Sequence, residues 1–264
     1  MLHISLFSGI GGFDLAAQWA GWENIVSCEI NPFGNKVLNH YWPDAYHHTD
    51  IHTLTYNLIN DELTKRKGQN WRTKDIIITG GFPCQDASIA KQDGQGQKGL
   101  QGSRTGLFWE MVRIIDEIKP KYIVAENVSN FLKTNGGKDI RTALSELARM
   151  GYNAEWRVCR SSEVGSPHHR SRLYLVAYPM CFRLQKGKSF FSYVAEETSS
   201  FSWRPYGATI QISRGGSWNS EPPILCVDDG ISNKLARIAI QGYGNAVTPQ
   251  IPYKIFKAIN EYEK

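Results

Sequence analysis

Four short groups of residues have the types and spacing to do chemistry. Phe7-Ser8-Gly9-Ile10-Gly11-Gly12 leaves an apolar run and enters a helical pattern. Glycines at such a turn let a ligand approach the backbone closely. Glu29 follows about twenty residues on, where an acidic group meets ribose hydroxyls in dinucleotide folds. A nicotinamide dinucleotide is the first candidate, but Asp14 holds the place of the third glycine in G-x-G-x-x-G and argues against it. Taken alone, the loop is equally well read as a tight turn with no ligand.

Gly80-Gly81-Phe82-Pro83-Cys84-Gln85 follows another apolar run. A cysteine there is a nucleophile if its thiolate is stabilised; otherwise it is a small packing residue. Ala125-Glu126-Asn127-Val128 offers a carboxyl group able to give or take a proton on a bound base, or an ordinary polar strand end. Arg170 and Arg172 lie two apart, hence on one side of a strand, and arginines stabilise phosphate or charge developing on a base. The neighbouring His168 and His169 have no Cys or acidic residue at a matching spacing, so no metal is expected.

The elements needed to position these groups are legible. Residues 2–7 read as a strand and 12–20 as a helix. Ile25–Glu29 is a second strand, and Pro32 opens a helix where its missing N–H costs little. Ile76-Ile77-Ile78 within Asp75–Thr79 suits a strand buried on both faces. Residues 106–118 are amphipathic, with Leu107, Met111, Ile114, Ile115 and Ile118 on one side. Tyr122–Ala125, a helix over 138–150, a strand over Arg172–Ala177 and helices over 232–240 and 249–260 complete the pattern. Strands alternating with helices predict an α/β fold with a mainly parallel sheet. The reactive groups then sit at strand ends, where ligands bind in such folds.

Composition narrows the function classes. Thirty Lys and Arg against 25 Asp and Glu leave a net charge of +5, compatible with a polyanionic partner and too small to require one. The five cysteines are scattered without a C-x-x-C pair, which argues against a disulfide framework or zinc site and fits a reducing cytoplasm. No signal peptide is expected, and no apolar stretch nears the ~20 residues of a membrane span. Between 178 and 217 the strand–helix alternation stops. That stretch holds Arg183, Lys186, Lys188, Arg204 and Arg214 against Glu196 and Glu197. It reads as a nucleic-acid-contacting module or a solvated insertion.

In their order along the chain these pieces resemble the bacterial and phage DNA cytosine-5 methyltransferases. The 7–12 loop looks like that family's cofactor loop, with Glu29 and Asp50 like its acidic cofactor contacts. Pro83-Cys84-Gln85 resembles its nucleophile motif, and Ser103 to Phe108 the segment after its mobile loop. Glu126-Asn127-Val128 matches its Glu-Asn-Val motif, Arg170 and Arg172 its Gln-x-Arg-x-Arg motif, and Gly244-Asn245-Ala246-Val247 its C-terminal Gly-Asn-x-Val motif. His168 stands where the family has Gln, and Ala87 where it has a bulkier apolar residue. The resemblance covers about 1–177 and 217–260, and six short motifs in the right order make chance agreement improbable.

The resemblance implies a Rossmann-like S-adenosylmethionine-dependent methyltransferase fold with a small target-recognition region. Residues 1–177 would be catalytic and cofactor-binding, 178–229 would recognise the target, and 230–264 would return to the catalytic domain. Cys84, Glu126, Arg170 and Arg172 would be catalytic. Phe7, Ser8, Gly9, Gly11, Gly12, Glu29, Asp50, Ile51, Pro83, Leu107, Asn245 and Val247 would contact S-adenosylmethionine. The substrate would be double-stranded DNA whose target cytosine flips out of the stack. The 85–104 loop would close over it, with Lys91, Lys98 and Arg104 near phosphates, while Arg204 and Arg214 read bases. A monomer in the cytoplasm, with a cognate restriction endonuclease as a candidate partner, completes the expectation. Two rivals are a transfer-RNA cytosine methyltransferase and a catalytically silent DNA-binding accessory protein. The presence of Cys84, Glu126 and Arg170 argues against the second.

Overall fold

The computed structural model describes residues 1–82, 106–166, 170–182, 189–196 and 246–264. Seven strands form one sheet: β1 (Leu2–Leu6), β2 (Glu23–Cys28), β3 (Tyr46–His48), β4 (Ile76–Gly80), β5 (Tyr122–Val128), β6 (Tyr152–Arg160) and β7 (Ser171–Pro179), in spatial order 3-2-1-4-5-7-6. Strands β1 to β5 pair in parallel, while β7 runs antiparallel to both β5 and β6. The described helices are α1 (Gly12–Trp19), α2 (Pro32–Tyr41), α3 (Tyr56–Lys67), α4 (Gly106–Ile118), α5 (Lys138–Arg149), the short α6 (Ser192–Glu196) and α7 (Gln250–Tyr262).

Local chemistry sets several of these boundaries. Asn31 caps α2 by accepting from the Phe33 amide, with Pro32 at the first helical position. Thr55 caps α3 through the Leu58 amide. Strand alternation then sorts side chains into two layers. Leu2, Ile4, Leu6, Ile78, Ile123, Leu173 and Leu175 face a core closed by α3, α4 and α5. Ile77, Tyr122, Val124, Tyr174 and Val176 face a second core closed by α1, α6 and α7. The order reverses at β1, flanked by β2 and β4, so the carboxyl ends of β1 and β4 border the crevice where open α/β sheets bind ligands.

The α/β class and the mainly parallel sheet agree with the sequence reading, and α4 spans 106–118 as expected. Strands β3 and β6 and helices α3 and α6 were not anticipated. Strand β3 is only three residues long. Helix α3 buries only Ile59 and Leu63, which leaves a faint apolar stripe. Strand β6 alternates poorly and lies at a sheet edge, with Trp156 exposed. The expected helix over 232–240 lies outside the described residues, as does most of 178–229.

Candidate active site

The turn after β1 is the most constrained backbone near the crevice. Phe7 has φ 54°, a left-handed conformation that side chains other than glycine adopt at a cost and that concentrates at functional sites. Ser8 is buried, its hydroxyl donating to the Ser5 carbonyl at 3.0 Å. Glu29, just past β2, accepts the Gly9 amide on one carboxylate oxygen and the Asn31 amide on the other, each at 2.7 Å. The carboxylate therefore clamps the glycine loop to the start of α2 and keeps a lone pair on each oxygen for hydroxyl donors.

Helix α2 approaches this loop closely. A side-chain carbon at Gly34 would stand 2.5 Å from the Gly9 carbonyl oxygen and 2.9 Å from the Glu29 side chain. On its other side Gly9 is open among the described residues, with none of their atoms within 4 Å of where its side chain would begin. The buried Asn35 Oδ1 nearby has no hydrogen-bond partner among the described residues. Asp50 follows β3, and the Glu29 amide donates to the His48 carbonyl at 3.0 Å, which joins the ends of β2 and β3. Open space over a glycine, bordered by carboxylate acceptors, fits a ligand rich in hydroxyl and amine donors. Among the described residues no cluster of His, Cys, Asp or Glu has the arrangement of a metal site.

At the end of β5 stands the second group. Glu126 is 9% exposed, and its Oε1 lies 3.0 Å from the Arg172 Nε of the neighbouring strand β7. The contact is an ion pair that ties the ends of β5 and β7 together. Burial raises the Glu126 pKa above the ordinary carboxylate range, against the opposing pull of Arg172 and Arg170. Arg170 directly precedes β7 rather than lying within it, and burial together with Arg172's charge lowers its own pKa. A carboxyl inclined to keep its proton, facing two guanidinium groups, can donate to a ring nitrogen and have the resulting charge stabilised.

Two contacts bring the cysteine motif's entry to this carboxyl. Asn127 Nδ2 donates to the Phe82 carbonyl at 3.3 Å, and a side-chain carbon at Gly81 would lie 3.1 Å from Glu126 Oε2. Phe82 is buried at the point where the chain runs on toward Pro83 and Cys84. Pro83, Cys84, Lys91, Lys98, Arg104, His168, Arg204, Arg214 and Asn245 themselves lie outside the described residues. Of the described cysteines, Cys28 beside Glu29 and Cys159 on β6 have thiols pushed up to about 12, by burial first, which makes them poor nucleophiles. Ile51 is 5% exposed and packs into the first core, while Leu107 is half-buried against it.

The short segment before α7 joins the two halves. A side-chain carbon at Gly12 would stand 2.7 Å from the Val247 carbonyl oxygen. Thr248 meets the Ser161 hydroxyl at 2.9 Å, and the Ser161 amide donates to the Arg170 carbonyl at 2.9 Å. The glycine loop and the arginine pair thus share one brace. Gly34, Asn35 and Ser161 escaped the sequence reading because each acts through close approach across the fold, which no local pattern records.

The chain is similar to several known proteins. A family model described as C-5 cytosine-specific DNA methylase matches residues 1–204. The type II methyltransferase M.Sau3AI of Staphylococcus aureus is 32% identical over 189 residues, which cover 66% of this chain and 42% of that protein. M.HhaI of Haemophilus parahaemolyticus is 31% identical over 180 residues, 68% of this chain and 48% of that one. The chain therefore spans less than half the length of either relative. Among solved structures, Spodoptera frugiperda DNMT2 superposes with TM-score 0.53 at 24% identity, covering 71% of this chain and 53% of that one. A protein described as a DNA modification methyltransferase of an Escherichia coli prophage gives 0.54 at 22% identity, covering 68% of this chain and 47% of that one. At that identity the likeness is one of fold.

Proposed function

The chain belongs to the C-5 cytosine-specific DNA methylase family, and from that premise we propose that it methylates carbon 5 of cytosine in double-stranded DNA, with S-adenosylmethionine as donor. The observation that carries this reading is Glu126, a buried carboxyl held toward its protonated form between two arginines and beside the entry to the Pro83-Cys84 motif. Glu29 and Asp50 would hold the nucleoside half of the cofactor, Glu29 through ribose hydroxyls and Asp50 through the adenine amine, with Phe7 to Gly12 beneath. When bound, the cofactor supplies the methyl group.

The residues would act as follows. The Cys84 thiolate adds to C6 of a flipped cytosine, forming a sulfur–carbon bond and pushing electron density toward C5. Glu126 gives its proton to N3 as charge develops there, and Arg170 and Arg172 stabilise that charge and orient the carboxyl. After C5 is methylated, its proton passes to solvent as the C5–C6 double bond re-forms, the sulfur–carbon bond breaks, Cys84 departs with its electron pair, and N3 returns its proton to Glu126. Lys91, Lys98 and Arg104 would contact phosphates, and Arg204 and Arg214 within 178–229 would read bases. The +5 net charge suits that substrate. A monomer working in the cytoplasm beside a cognate endonuclease is the setting we infer. No described helix is long and apolar enough to cross a membrane.

The test is transfer of a labelled methyl group from S-adenosylmethionine to duplex DNA or to transfer RNA, followed by location of the modified base. Label at cytosine C5 in the duplex is the expected result. Label in RNA alone would favour the RNA reading, and label in neither would favour the silent accessory protein. Cys84→Ser should abolish turnover while cofactor affinity is retained. A duplex carrying 5-fluorocytosine at the target should trap the unmodified enzyme covalently, because fluorine cannot leave as a proton does.

A further inference from the structure

One charged row on α4 is aimed at the cofactor side of the crevice. Glu110, Arg113 and Glu117 recur at helical spacing and share a face. Arg113 Nε donates to Glu110 at 2.8 Å, and its Nη1 to Glu117 at 2.8 Å. Its remaining nitrogen, Nη2, donates to the carbonyls of Ile51 and Leu54, each at 2.9 Å. Those carbonyls belong to the turn that opens with Asp50, whose own carbonyl accepts the Thr53 and Leu54 amides and whose Oδ1 accepts the His52 amide at 3.0 Å. Glu117 also accepts the Tyr56 amide at 2.8 Å, which fastens the far side of the same turn.

A guanidinium is the one side chain that can meet both carboxylates and both carbonyls at once, because its donors are planar, fixed and always charged. A lysine offers a single tetrahedral centre and cannot span that arrangement. The two acids hold the guanidinium plane, and the guanidinium holds the turn. Asp50 Oδ2 has no donor among the hydrogen bonds described, so it is the oxygen left to meet a ligand.

We propose that Arg113 is a positioning residue that fixes the Asp50 carboxylate, and through it the chain's preference for an amine-bearing purine. The proposal rests on the cofactor reading above. Arg113 touches no ligand atom; it sets where Asp50 stands. A carboxylate rejects a carbonyl oxygen as firmly as it accepts an amine, so the purine carrying oxygen in place of the amine is the discriminating probe.

The experiment measures calorimetric affinities of the full chain for S-adenosylhomocysteine and for S-inosylhomocysteine, in the unmodified protein, Arg113→Met and Arg113→Lys. The unmodified protein should prefer the adenosyl compound by roughly a hundredfold, the scale of one lost hydrogen bond to a charged group. Both variants should bind the adenosyl compound about tenfold more weakly while their affinity for the inosyl compound changes far less, so that the preference shrinks. Arg113→Lys preserves charge and much of the packing, and serves should the methionine variant fail to fold. Equal weakening toward both compounds would mean a purely structural role and would overturn the proposal. Failure of the unmodified protein to bind either compound would overturn the cofactor reading and this proposal with it.

Discussion

At the residue scale, a polar seam crosses the sheet beneath the glycine loop. His3 on β1 meets Asn24 on β2 at 2.6 Å and Thr79 on β4 at 2.8 Å, while Ser5 donates to Asp14 of α1 at 3.0 Å and Asn24 donates to the Asp14 carbonyl at 2.9 Å. Burial pushes the Asp14 carboxyl from 3.8 up to about 7 and the His3 imidazole from 6.5 down to about 4. Asp14's contribution to stability is complete below 3.8 and lost as pH rises through about 7. His3 is the reverse, its contribution present above 6.5 and lost as pH falls through about 4. Between pH 4 and 6.5 the two slopes oppose each other. Asp14→Asn leaves only that of His3. Relative to the unmodified protein, the variant should therefore gain stability across that interval, on the order of 3 kcal/mol at about 1.4 kcal/mol per pH unit. Urea unfolding at several pH values measures this; parallel profiles for the two proteins would refute it.

At the element scale, α2 sets two effects against each other at Gly34. Alanine there raises helix propensity by about 1 kcal/mol. Its side chain would also meet the Gly9 carbonyl oxygen at 2.5 Å, a backbone atom that cannot rotate aside. Distance decides the outcome: in Gly34→Ala the helix persists but shifts off the loop, and cofactor affinity falls by roughly tenfold or more. Unchanged circular dichroism with weakened binding is the expected pair of readings, and unchanged binding would show that the contact yields. Such effects mark the limit of sequence reading here. The β1 turn, the isoleucine run of β4 and the amphipathic α4 were legible because glycine placement and apolar period are local signals. Glu126 and Arg172 were each visible as residues at strand ends, but their 3.0 Å contact depends on β7 inserting antiparallel between β5 and β6. Strand β6 and helix α3 carry weak patterns because their partners, rather than their own periodicity, hold them in place.

At the scale of the whole molecule, α7 completes the second core although it is distant in sequence from most of what it covers. Phe256 is fully buried against Trp22, with ring centroids 4.4 Å apart, and Trp22 donates to Asn260 at 2.7 Å across 238 residues of chain. Phe256→Ala should cost about 3–5 kcal/mol of stability, the range for emptying a buried phenylalanine site, and chemical denaturation would read it. A loss below about 1 kcal/mol would mean that α7 only lies against the surface, as expected of an exposed position.

That same long-range closure has a kinetic side. Contacts separated by so much chain form late, because the closure entropy comes before any return in buried area. Until α7 docks, Phe13, Trp22 and Tyr122 present an uncovered apolar face, the kind of surface on which folding intermediates aggregate. Early refolding would thus be the interval of greatest sensitivity to crowding by other chains and of greatest need for a chaperone. The same helix brings Val247 and Thr248 against the glycine loop and the arginine pair, so competence to bind cofactor should arrive as the last phase of refolding and not with the first recovery of secondary structure.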